Sequence, residues 1–314
     1  MIHHSLSKSE LTAFIKEKAI ELGFLDCGIS KAEFLSSEEA ELNKWLEEGR
    51  HGLMTYMERN KEMRLDPRKL VEGAKSVVTI LQNYYPPVKL ETNDNFKISK
   101  YAYGIDYHSL VKSKLHRLTE EIKHFFPDLI FRIFVDSAPV MDRVWAKKSG
   151  LGWIGKNGLV LNRKNGSYFF IGHIILDLEL DYNTTEAKDL CATCTRCIDA
   201  CPTNAIYEPR KVDARKCLSY QTIEFPIVSE RSPKESYHDW IFGCDICQDV
   251  CPWNLKFLPT HQENDFLPKP ELLAMRKADW HALSESQFDE LFEKSALKRA
   301  KYAGLIKTID WISG

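Results

Sequence analysis

The chain has 314 residues, enough for one large domain with its own core and a smaller one beside it, and too many for a bare ferredoxin. With 44% hydrophobic and 28% charged residues and a net charge of −2, its composition is that of a soluble globular protein and points to no nucleic-acid partner. The first residues, MIHHSLSKSELTAF, lack a cationic stretch followed by an apolar core. The longest apolar run, YFFIGHIIL, is too short to span a bilayer, so a cytoplasmic protein without membrane association is expected.

In chain order, Ser7 with Glu10 reads as a capping box ahead of a helix carrying Leu11, Phe14, Ile15, Ala19 and Leu22. FLDCGI then reads as a short strand, with Cys27 a buried small hydrophobe. Ser36 with Glu39 predicts a second capping box and a helix ending near Gly49. SVVTIL (76–81) and LIFRIFV (129–135) have strand composition. Between them Val111, Leu115, Leu118, Ile122 and Phe125 mark one face of an amphipathic helix. A helix over APVMDRVWAKKSG, a glycine-rich turn, and a hairpin of GLVLN with SYFFIGHIILDLEL around RKNG complete the first part. Helices and strands mix without a βαβ repeat, so the fold class expected is α+β, with divisions at 1–184, 185–262 and a helical segment at 263–314.

GLGWIG (150–155) satisfies a dinucleotide fingerprint by letter only. A helix precedes it and a strand follows, the reverse of the order that aims a helix N-terminus at a pyrophosphate. His108, in DYH, fails the Asp-x-His-x-x-Gly pattern of one cobalamin-ligating class because position 111 is Val. Taken alone it reads as a packed or solvated histidine at a helix start.

Eight of the nine cysteines fall between residues 191 and 251. Cys191, Cys194, Cys197 and Cys201 before Pro202 match the bacterial ferredoxin run, in which the fourth thiolate reaches across to a second cluster. Cys244, Cys247 and Cys251 before Pro252 form a second run that is one ligand short, and Cys217 is the candidate to replace it. The crossing rule assigns Cys191, Cys194, Cys197 and Cys251 to one [4Fe-4S] cluster, and Cys201, Cys217, Cys244 and Cys247 to the other. Paired structural zinc sites are the alternative use of eight thiolates.

VDSAPVMDRVWAKKSGLGWIGKNGL, the paired cysteine runs, KCLSYQTIE, GCDICQDVCPWN, GRHGLMTYMERN and YGIDYH together resemble the epoxyqueuosine reductase family over about residues 10 to 260. The resemblance implies a cobalamin-dependent iron-sulfur enzyme with a nitroreductase-like layered domain. Such an enzyme reduces the epoxide of epoxyqueuosine at the tRNA wobble position and acts as a monomer fed by an unidentified low-potential electron donor. It places Asp136 as the catalytic acid, which we expect to be held partly protonated by an apolar pocket. Arg59, His108, Arg143, Lys156, Asn157 and Ser219 become candidates for cobalamin contacts, each with an alternative as a solvated surface residue. Two basic stretches, Arg143 to Lys164 and Lys294 to Lys301, are candidates to face tRNA. Many family members continue into a helical-repeat segment where this chain stops at Gly314, and Gln221 stands where an aliphatic residue is expected. A cytosolic enzyme like a reductive dehalogenase and a non-catalytic electron-transfer subunit are the rival readings.

Overall fold

The computed structural model describes residues 6–90, 94–183, 187–226, 230–257 and 259–314, so the expected division between 184 and 185 lies outside the described residues. Ser7 and Glu10 form the expected reciprocal box at the start of α1 (Lys8–Glu21), which leads into β1 (Asp26–Lys31). The second box does not form. The cap of α2 (Ser36–Glu47) is Leu35, with no side-chain hydrogen bond. Tertiary packing decides this: Leu35 is buried and its N–H donates to the Leu65 carbonyl at the end of α3 (Lys61–Leu65), so the helix begins at Ser36 itself.

β2 (Ser76–Asn83), β3 (Lys97–Ile98), α4 (Tyr107–Lys123), β4 (Phe131–Phe134), α5 (Asp142–Lys148), β5 (Trp153–Ile154), β6 (Val160–Leu161) and β7 (Phe169–Leu176) follow. Three of these strands join β1 in one antiparallel sheet in the order β1-β2-β7-β4, with Thr79 opposite His173 and Ile133 opposite Ile174. One face, carrying Val78, Ile80 and Ile174, packs on α1 and on Val111, Leu115, Leu118 and Ile122 of α4. Val77 and Ile175 on the other face pack with Leu42 of α2 and Val144 and Trp145 of α5. Both faces are covered, which is why β2 shows no polar alternation.

The expected hairpin is divided. β6 pairs with β5, while β7 runs between β2 and β4, and only an isolated Asn162–Gly166 bridge spans the RKNG turn. In the glycine run, Gly150 ends α5 at φ +74°, and a Cβ on Gly152 would lie 2.2 Å from the Leu161 carbonyl oxygen. These glycines seat one backbone on another, in the helix-turn-strand order that excludes a dinucleotide crevice. His173, fully buried on β7, stands beside the start of α5: its Nδ1 lies 3.0 Å from the Thr79 hydroxyl, and its Nε2 lies 3.1 Å from Asp142 without forming a hydrogen bond.

The cysteine-bearing region comprises α6 (Arg196–Asp199), the β8 (Ile206–Glu208) and β9 (Lys211–Val212) pair, α7 (Leu218–Ile223), β10 (Trp240–Phe242), α8 (Ile246–Asp249) and α9 (Pro252–Lys256). β10 pairs in parallel with β3 across more than 140 residues of chain. The helices α10 (Pro270–Ala274), α11 (Lys277–Ala282), α12 (Glu285–Leu291) and α13 (Lys301–Ser313) close over this pair. Trp280, Phe288, Leu297, Leu305 and Ile309 share a core with Phe96, Ile98 and Phe242.

Candidate active site

The eight thiols separate into two groups. Cys191, Cys194, Cys197 and Cys251 all line one cavity of about 510 Å³. Burial, and then the Cys251, Cys191 and Cys194 sulfurs, push the Cys197 thiol up to about 11. In the second group burial raises Cys244, with the Cys217 and Cys201 sulfurs adding to it, and burial raises Cys247, with Cys244 and Cys217 next. Cys247 also feels Cys197, so the groups are neighbours. Each group has N–H donors on sulfur: Trp153 Nε1 donates to Cys191 at 3.4 Å and the Ala205 backbone to Cys201 at 3.3 Å. Among the described residues no three His, Cys, Asp or Glu side chains converge on one metal ion.

The chain from the second group leads to Asp136. Cys217 caps α7, and Tyr220 on that helix accepts the Leu53 N–H on its hydroxyl at 2.7 Å. Leu53 and Tyr56 in this loop are exposed apolar side chains, and the Tyr56 phenol lies within the electrostatic reach of Asp136. Asp136 itself follows β4 in the left-handed region, at φ +54°. Its Oδ2 accepts from the Tyr107 hydroxyl at 2.7 Å and lies 3.7 Å from His108 Nε2. Both partners come from the first turn of α4. Its cap, Asp106, accepts the His108 backbone N–H at 2.9 Å and lies 2.6 Å from His108 Nδ1. Tyr107 is fixed between rings, stacked on Phe170 at 3.9 Å and on His108 at 4.2 Å.

The carboxyl of Asp136 is held below its ordinary value, not above it as an apolar pocket would require. Burial pushes it up, but the His108 and Tyr107 hydrogen bonds and the His108 and Arg299 charges outweigh burial. Burial lowers His108, and the Asp106 and Asp136 carboxylates more than compensate, raising it to about 9. At neutral pH the proton of this cluster therefore resides on the imidazole. Asp136 keeps 66% of its side-chain surface open to water although protein surrounds it, and Arg143 is likewise exposed yet strongly desolvated. Side chains that are open to water and yet desolvated by surrounding protein stand on a concave part of the surface, a cleft around Asp136.

A family model described as a 4Fe-4S double cluster binding domain matches residues 190–254, and one described as epoxyqueuosine reductase QueG, DUF1730, matches residues 64–137. The epoxyqueuosine reductase of Cellulophaga algicola is 50% identical over 98% of this chain and 99% of its own length. The chain belongs to the epoxyqueuosine reductase family. It is an oxidoreductase of tRNA modification, and a purely electron-transferring role is set aside. A solved epoxyqueuosine reductase holding an epoxyqueuosine-modified stem loop of a tyrosine tRNA superposes with a TM-score of 0.87 at 26% identity, over 96% of this chain and 80% of that one. The Bacillus subtilis enzyme superposes at 0.83 and 26% identity over the same shares, and was captured with its aspartate-bearing catalytic loop swung out of the active site. No helix among the described residues is long and apolar enough to cross a membrane.

Within this family member, the candidate residues are not all in one place. Asp136 and His108 are in contact, and Arg143, donating to the Gly158 carbonyl at 2.5 Å, lies within the field of Asp136. Arg59 is exposed on the Tyr56 loop, bonded to Thr55 at 3.0 Å. Lys156 and Asn157 turn toward the thiols instead: the ammonium donates to Ala192 O at 2.6 Å and the amide to Cys247 O at 3.5 Å. Ser219 lies beside Cys217, whose sulfur its backbone N–H helps to solvate. Sequence reasoning missed Tyr107 and Arg64. Tyr107 was visible inside DYH, whereas Arg64 is buried with an unpartnered Nε and carried no local signal. Arg299, read only as part of a basic stretch, has a charge that reaches Asp136.

Proposed function

We propose that this chain reduces the epoxide of epoxyqueuosine in the anticodon loop of tRNA to the alkene of queuosine. Cobalamin would occupy the Asp136 cleft, with two [4Fe-4S] clusters supplying it. The observation that carries the reading is the continuity from the Cys197 group through the Cys247 and Cys217 group to the Tyr56 loop and Asp136. The reaction consumes two electrons and two protons and releases one water. When bound, cobalamin supplies a low-potential metal centre that passes those electrons to the substrate.

The residues of the cleft fit such a group. Leu53 and Tyr56 offer apolar cover for a flat macrocycle, while Arg64, with its unpartnered Nε, and Arg143 offer donors to amide and phosphate oxygens. Arg59 and Ser219 stand at the rim, and Lys156 and Asn157 support the cluster side. Asp136 relays a proton from the His108 imidazolium to the departing oxygen, and Tyr107 aims the carboxylate. An exposed aspartate in a left-handed loop can swing, as its counterpart in the Bacillus subtilis relative does. Lys294, Lys298, Arg299 and Lys301 face the tRNA, since Arg299 borders the same cleft. We assign the cleft to residues 1–184, the clusters to 185–262, and the buttress of the tRNA side to 263–314.

The test is anaerobic expression with cobalamin supplied, followed by metal counts and a single-turnover assay on epoxyqueuosine-containing tRNA. About eight irons per chain, from two four-iron clusters, with one cobalt and conversion of the epoxide, is the expected result. Eight irons without cobalt, in protein that still converts the tRNA, would overturn the cobalamin assignment.

A further inference from the structure

The cavity over Cys191, Cys194, Cys197 and Cys251 is larger than a cubane needs, and its outer wall is basic and aromatic. Arg163, at the tip of the turn before β7, and Lys256, at the end of α9, line it together with Trp253 and Phe257. On the other side of α9, Arg196 and Leu255 line a second concavity, and Leu255, at 66%, is the most exposed of the large apolar side chains described. Arg163, Arg196 and Lys256 form no ion pair among the described residues. Two acids line the same concavity, Asp199 accepting from the Thr195 hydroxyl and Asp249 from Lys100 and Tyr168, and Asp189 pairs with Arg210. An apolar centre ringed by unpaired cations beside a redox group is the chemistry of a transient encounter with a negatively charged partner.

We propose that this face, centred on Leu255 and ringed by Arg163, Arg196 and Lys256, docks a small acidic one-electron carrier protein. The carrier passes its electron into the cluster held by Cys191, Cys194, Cys197 and Cys251, being oxidised by one electron as the cluster is reduced by one. The inference rests on the proposed electron route, in which this group is the outer end and the Cys217 group adjoins the cleft. It also divides the basic residues by task. Arg299 of the tail has its charge on Asp136, whereas Arg163 and Lys256 border the thiols at the other end of the route. A carrier and a tRNA can then be bound together. A transient redox encounter buries little area and depends on charge for its rate.

The experiment uses the full chain with its clusters assembled, mixed in a stopped-flow cell with a reduced acidic [2Fe-2S] ferredoxin, or with dithionite as a small reductant. Arg163→Glu and Lys256→Glu are compared with Arg117→Glu, a charge reversal on the outer face of α4. The expected result is a rate of reduction by ferredoxin that falls about tenfold or more in the first two variants and loses its salt dependence. Arg117→Glu and all dithionite rates should match the unmodified chain. Equal ferredoxin rates in all four proteins would overturn the docking face, as would variants that lose affinity for a tRNA stem loop but keep the ferredoxin rate. Clusters that dithionite reduces but ferredoxin does not would overturn the acidic carrier. A chain that assembles no clusters would overturn the electron route and this inference with it.

Discussion

His108 lies between two carboxylates, and that placement sets the acid-base behaviour of the cleft. Its pKa is raised to about 9 from an ordinary 6.5, so the imidazolium persists at neutral pH. The sign follows directly: a raised pKa means that the stabilisation by the charged form is complete below about 6.5 and is lost as pH rises through about 9. Turnover should therefore show an alkaline limb near pH 9, and His108→Gln should remove that limb while lowering the plateau, as a pH-rate profile of single turnover would reveal. On the proposed reading, Asp136→Asn should retain clusters and corrin but lose about 100-fold or more in turnover, the usual loss when a positioned proton donor is removed. Retained activity in Asp136→Asn would assign the proton transfer to Tyr107 or His108 directly.

Gln221 on α7 shows how one departure from an expected aliphatic residue can organise an element. Its Nε2 donates to the Arg215 carbonyl at 2.7 Å and to Ser232 at 2.9 Å. Its Oε1 accepts from the Ser232 N–H at 3.1 Å and from the Tyr237 hydroxyl at 2.7 Å. Gln221→Leu would orphan the buried Tyr237 hydroxyl and the Ser232 N–H, and should cost about 2–4 kcal/mol in a denaturant titration. No sequence pattern announces this hub, because its partners are 6 to 16 residues away in irregular chain. Where the signal is local, the elements were legible. The Ser7–Glu10 box and the α4 face of Val111, Leu115, Leu118 and Ile122 stand as read. The Ser36 box was lost to the tertiary bond at Leu35, and the hairpin was lost because β7 has longer ladders with β2 and β4. The cysteine spacing was legible for a chemical reason: ligand geometry restricts it regardless of the surrounding fold.

At the scale of the molecule, the C-terminal helices are structural members of the cluster region. Trp280 is fully buried, stacks on Phe292 at 5.9 Å, and donates its indole N–H to Asn95 at 2.7 Å. Asn95 precedes β3, β3 pairs with β10, and β10 leads into Cys244 and Cys247. Periodicity could identify these helices but not their partner, a two-residue strand far earlier in the chain. Trp280→Ala should therefore destabilise the protein by about 3–5 kcal/mol, as for other large aromatic truncations in a core. If β3 and β10 carry that loss to the thiols, the second cluster should also become labile. Iron release to a chelator would then rise in Trp280→Ala at denaturant concentrations where the first cluster persists. Loss of stability with no change in iron release would mean that the buttress supports only the Arg299 side of the cleft. In that case the variant should retain its clusters and fail instead in tRNA affinity.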